Sequence, residues 1–142
     1  MCIIRKSKNL LLLIHEDKRL ELCKYSEPQV IAKAIAAFQE NTRERDHSSA
    51  TPINTMVIPC ITMAGTFLIL YLVEVTKTLN DCVETAQYPL DKTVVFKHIP
   101  DTSKRCSNGM KPISDRKKIL QSFEVLKVFV DQLEVLLELG GR

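Results

Sequence analysis

An α/β domain, a mixed β-sheet with flanking helices, is the fold class that this sequence predicts. Three observations predict it. A five-residue apolar run, Leu10 to Ile14, stops at the charged triplet Glu16-Asp17-Lys18. A helical period follows over residues 27–42. A charge-free stretch from Thr51 to Val73 is then divided near its middle by Ala64-Gly65-Thr66. Strand, helix and strand in that order is the βαβ pattern of a parallel pair joined by a right-handed crossover.

The first strand is expected over residues 10–18. Side chains alternate along a strand, so Glu16 and Lys18 would point to one face and Asp17 to the other. A carboxylate and an ammonium side by side at a strand end can grip a divalent metal and a phosphate. They can equally form an exposed ion pair worth less than about 1 kcal/mol.

The first helix is expected to be capped by Ser26, with Pro28 in its first turn and Glu27 at the positive end of the dipole. Val30, Ile31, Ala34, Ile35, Ala37 and Phe38 recur at helical spacing. The polar residues 39–46 should fray the end, and residues 47–52 should form a loop.

The stretch from Thr51 to Val73 is long enough to cross a membrane as a helix. Pro59 lies inside it, Gly65-Thr66 divides it, and both halves are rich in Val, Ile, Thr, Phe and Tyr. These features favour a hairpin over residues 56–75, with Tyr71 and Glu74 emerging from the core. A membrane anchor over residues 51–73 is the alternative. A short helix over residues 76–86 should turn Leu79, Cys82 and Val83 inward. A short strand is expected at residues 93–96 and a loop at 101–112 with an Asn108-Gly109 turn.

The last helix, residues 115–139, is expected to be capped by Ser114 and ended by Gly140-Gly141. It carries an apolar seam, Ile119, Phe123, Leu126, Val130, Leu133 and Leu137, at spacings of 4, 3, 4, 3 and 4. Such a seam can pair with another helix or pack on its own sheet. Val125, Val128, Val135 and Leu139 lie off it and point to wide burial against the sheet. A protein-interaction module built on this helix, including a homo-oligomer, remains the alternative.

The whole chain, residues 1–142, fits one domain with a real core. At 45% hydrophobic and 26% charged residues it reads as globular rather than disordered. The formal charge is +3, but its distribution is uneven. Residues 97–118 hold seven basic side chains against two acidic ones, among them Lys104, Arg105, Lys111, Arg116, Lys117 and Lys118. Those six are the candidate nucleic-acid contacts, attractive to phosphate; a solvated face is the plainer reading. The five cysteines are odd in number, widely spaced and without a Cys-x-x-Cys pair. They suit reduced intracellular thiols, cytoplasmic or nuclear, rather than a disulfide framework or a zinc site. The five-residue apolar run is too short for a signal peptide. No dinucleotide fingerprint, P-loop or nucleophile elbow occurs.

The strand ending in Glu16-x-Lys18, followed by a helix that carries Gln29 near its start and then by another strand, resembles the core of the PD-(D/E)XK phosphodiesterases, the restriction-endonuclease-like fold. The Glu-Asp-Lys strand, the Glu-Pro-Gln-x-Ile-Ala helix and the Pro-Cys-Ile-Thr-Met-x-Gly-Thr hairpin also resemble those of a group of fungal proteins. The superfamily resemblance implies Mg²⁺-assisted phosphodiester hydrolysis. Glu16 would ligate the metal, helped by the backbone carbonyl of Asp17. Lys18 would hold or deprotonate the attacking water, and Gln29 would orient the substrate.

One departure matters. The superfamily places an Asp on the strand before Glu-x-Lys, and residues 1–15 contain neither Asp nor Glu. One carboxylate and one carbonyl make a weak Mg²⁺ site. The nine residues before Leu10 are also too few for the usual leading helix and hairpin. The expectation is therefore an incomplete core: a piece lacking its N-terminal segment, or a degenerate relative that binds nucleic acid with vestigial activity. His15, His47 and His98 show no partner that would mark them as catalytic.

Overall fold

A computed structural model describes residues 2–6, 9–17, 27–101 and 110–139. The order of elements is β1 (Cys2–Lys6), β2 (Asn9–Asp17), α1 (Glu27–His47), β3 (Thr55–Ala64), β4 (Phe67–Thr76), α2 (Lys77–Glu84), β5 (Val95–His98) and α3 (Ile113–Leu139). The five strands form one sheet in the order β1-β2-β3-β4-β5. β2 and β3 are parallel and every other neighbouring pair is antiparallel. The mixed α/β class read from the sequence is the class observed.

The centre of the sheet is the β3–β4 hairpin. Its turn has Gly65 at φ +62°, while Thr66 keeps a negative φ, as a type II′ connection requires of its first central residue alone. A side chain at position 65 would meet nothing within 4 Å, so glycine is required there by its backbone angle and not by space. Pro59 occupies a central strand, normally a poor place for a residue without an N–H. The β2–β3 ladder explains the tolerance: it begins at Leu13 opposite Cys60, one residue beyond Pro59. Within the stretch 51–73 proposed as a membrane-spanning helix, residues 55–64 and 67–73 lie in strands and not in a helix. No helix among the described residues is long and apolar enough to cross a membrane.

The two faces of the sheet follow from alternation. Cys60 lies opposite Tyr71, and Ile58 opposite Val73. With Met56, Thr62, Ile69 and Val75 these residues make one fully buried layer. α1 covers it, as the Asn41 Nδ2 donation to Met56 Sδ at 3.2 Å shows. The buried stripe of α1 is Val30, Ala34, Ala37, Phe38, Asn41 and Arg45, and alanines at its centre let the helix approach the strands closely. The sequence suggests fraying beyond Phe38, but the helix runs to His47. Arg45 is the reason, because its Nε donates to the Thr51 carbonyl at 2.9 Å and holds the last turn to the following loop.

α3 crosses the opposite face. Its Ile119, Leu126 and Val130 are buried, and Phe123 packs against the same core. The apolar seam from Ile119 to Val130 is therefore spent on the chain's own sheet. The broad burial expected for the off-seam valines does not occur: Val125, Val128 and Val135 are 71%, 57% and 54% exposed. α2 begins at a Thr76 cap whose hydroxyl accepts from the Leu79 N–H. Leu79 and Cys82 are half-buried on it, whereas Val83 faces solvent.

Two further differences from the sequence reading concern strand edges. A leading hairpin does fit ahead of Leu10, because β1 pairs antiparallel with β2 over Cys2 to Lys6. Tyr71, expected to emerge from the core, is 1% exposed. It sits in β4 one strand inside the edge, and α1 closes over it.

Candidate functional site

In a βαβ unit the carboxyl ends of the parallel strands and the start of the connecting helix fall at one edge of the sheet, where α/β proteins commonly place ligands. Here the ends of β2 and β3 form that edge, and α1 is the helix that connects the two strands. Glu16 is in register with Met63, and Asp17 with Ala64, the last pairs of the parallel ladder. Lys18 lies outside the described residues, so the Glu-x-Lys pair is half placed: Glu16 is the penultimate residue of β2. Gln29 is an exposed residue of the first turn of α1.

The first turn of α1 is engaged elsewhere. Glu27 accepts an ion-paired hydrogen bond from Lys97 of β5. Lys97 lies directly opposite Tyr71 in the ladder, and its ammonium sits 5.7 Å from the centre of the Tyr71 ring. The Glu27 carboxylate, more than any other neighbour, pushes the Lys97 pKa above its ordinary value. Sequence reasoning missed this trio because 70 residues separate Lys97 from Glu27 and no local pattern links them.

Ladder geometry keeps the trio apart from Glu16. Lys97 aligns with Tyr71, Tyr71 with Cys60 and Cys60 with Leu13, three strand spacings or about 14 Å. Lys97 therefore cannot serve as the lysine of a Glu16 site. Under α1, the hydroxyls of Thr62 and Tyr71 are buried, and that of Thr62 has no hydrogen-bond partner among the described residues. Cys60, beside them in the same layer, is a buried free thiol; burial pushes its pKa up to about 12, which makes it a packing residue and a poor nucleophile.

The donor chemistry at the end of β2 does not fit Mg²⁺. The neighbouring strand β1 reads Cys-Ile-Ile-Arg-Lys and brings no carboxylate. Glu16 and the backbone carbonyl of Asp17, the donors that the resemblance implies, are fewer than the octahedral oxygen set that Mg²⁺ demands. Among the described residues no group of three His, Cys, Asp or Glu side chains could hold a metal ion.

The basic candidates divide. Lys104 and Arg105 lie outside the described residues. Lys111, Arg116, Lys117 and Lys118 stand exposed around the start of α3. Arg116 Nε donates to the Met110 carbonyl at 3.3 Å, and Lys118 Nζ bonds the Asp101 carbonyl and carboxylate at 2.6 and 3.2 Å. Asp115, the acidic residue among them, is buried. The outward charge of this turn is therefore cationic. It adjoins a cavity of about 720 Å³ between α3 and the β4–β5 edge, lined by Leu70, Leu72, Phe96, Val125, Leu126 and Phe129 with Lys118 at its mouth.

No protein-family model, curated protein or solved structure matches this chain.

Proposed function

We propose that the chain is an intracellular nuclease-like domain, an incomplete PD-(D/E)XK core that binds nucleic acid and has lost, or never completes alone, phosphodiester hydrolysis. The observation that carries this reading is the placement of Glu16 and Asp17 on the last two pairs of the parallel β2–β3 ladder, with α1 opening as Glu27-Pro28-Gln29. Strand, crossover helix and parallel strand follow in the order that the motif needs. The cationic first turn of α3 supplies phosphate attraction without sequence readout. Glu16, Lys18 and Gln29 are the residues around which hydrolysis would be organised, and the absence of carboxylates from β1 is what argues against turnover.

The test is a cleavage assay with single- and double-stranded DNA in Mg²⁺ and in Mn²⁺, run beside a binding assay. Binding without cleavage is the expected result, and Glu16→Ala and Lys18→Ala should leave the cleavage baseline unchanged. Cleavage that both variants abolish would show an active nuclease and overturn the vestigial reading. Failure to bind any nucleic acid would remove the function proposed.

A further inference from the structure

The outward face of α3 carries a second heptad seam. Gln121, Val125, Val128, Gln132 and Val135 follow at spacings of 4, 3, 4 and 3, and all five are exposed. Leu136, 65% exposed, flanks them. Val128, Gln132 and Val135 turn away from Ile119, Leu126 and Val130, which are buried in the chain's own core, while Gln121 and Val125 edge the cavity against β4 and β5 and stay exposed. Val125, Val128 and Val135 are each more than half exposed, and Val128, Gln132, Val135 and Leu136 border a shallow, open depression.

The seam is complementary to itself when run backwards. Paired antiparallel about a two-fold axis between residues 126 and 127, Val125 meets the partner's Val128, and Gln121 meets the partner's Gln132. Apolar then faces apolar, and amide faces amide, which can donate and accept in both directions. The ends agree as well. Residues 111–118 hold four basic side chains and one acidic, the acidic one being buried. Residues 128–139 hold Asp131, Glu134 and Glu138 and no Lys or Arg. Antiparallel pairing lays each basic end along the partner's acidic end, in the sense that the helix dipoles also favour. A two-fold interface uses the same patch twice, so this self-complementarity is the property it requires.

We propose that the outward seam of α3 binds a second copy of this chain as an antiparallel two-fold helix pair. In this register Glu124 stands across from the partner's Asp131, a like-charge contact that turns the proposal into a test of register as well as of association.

Sedimentation equilibrium of the full chain under reducing conditions should show a monomer–dimer equilibrium. Val128→Glu should weaken it at least tenfold, while circular dichroism and the thermal midpoint stay those of the wild type; Val128→Gln should weaken it less. Glu124→Lys should tighten the dimer. Lys117→Glu should weaken it, because it removes charge from the basic end. A monomer at millimolar concentration would overturn the proposal, and so would a dimer indifferent to Val128→Glu. A dimer that Glu124→Lys weakens would overturn the antiparallel register. Association with a different protein only, with no self-association, would also overturn it.

Discussion

α1 and α3 cover opposite faces of the same sheet, and only one of them is finished by doing so. α1 has a single apolar stripe, and everything on it is buried, from Val30 to Arg45. The strand layer beneath it, from Met56 to Val75, is equally closed. α3 has two stripes: Ile119, Leu126 and Val130 go into the core, and Val125, Val128 and Val135 stay in solvent. The first helix is thus explained by the fold alone, whereas the second has surface that the fold does not use.

That contrast can be broken most forcefully on the α1 side. Phe38→Ala or Tyr71→Ala should each lower unfolding stability by about 3–5 kcal/mol, because both side chains are large and fully buried and the surrounding layer cannot collapse around the gap. Denaturant titration would check it, and a loss below about 1 kcal/mol would mean that the α1 face is not the core.

On α3 the two seams should part company. Leu126→Glu places an unpaired carboxylate in the core and should destabilise by several kcal/mol. Val128→Glu should change monomer stability by no more than about 0.5 kcal/mol. Equal effects would mean that the helix has been assigned the wrong inward face.

Smaller effects sharpen the description of the hairpin and the buried layer. Gly65→Ala should cost about 1–2 kcal/mol, since an L-residue must then hold φ near +62°. Thr62→Val should stabilise by about 1 kcal/mol in the same denaturant series, because it removes a buried hydroxyl with no hydrogen-bond partner. A variant keeping only Cys60 should resist alkylation at pH 8 while folded and react freely in denaturant. The folded pKa is raised to about 12, so the neutral thiol's contribution is intact below the unfolded value near 8.5 and is lost as pH climbs towards 12.

Much of the local structure was legible in the residues. The apolar run before Glu16, the Glu27-Pro28 opening of α1 and the Gly65-Thr66 turn each carry a local physical signal, and each marks an element boundary within a residue or two. What was not legible depends on partners far away in sequence. Nothing local to Tyr71 says that α1 will close over it, and nothing local to Lys97 says that it will meet Glu27. α3 is the clearest case: its inward seam through Ile119, Leu126 and Val130 was legible, but nothing local said that Val125, Val128 and Val135 would stay in solvent. At the strand end the sequence announced Glu-x-Lys, and its lack of an upstream carboxylate was equally plain in residues 1–15. The structure added that β1, the strand beside it, meets β2 with Cys2 opposite Ile14 and brings no carboxylate.

The most direct test of the proposed function is the salt dependence of DNA binding, read by fluorescence anisotropy with a labelled 20-mer. If Lys111, Arg116 and Lys117 each neutralise a phosphate, log K should fall with log salt at a slope of about −2.7, or about 40-fold between 50 and 200 mM. Lys117→Glu should reduce that slope by about one and weaken binding alike across sequences. No binding at 50 mM, or binding that neither salt nor Lys117→Glu changes, would contradict the account.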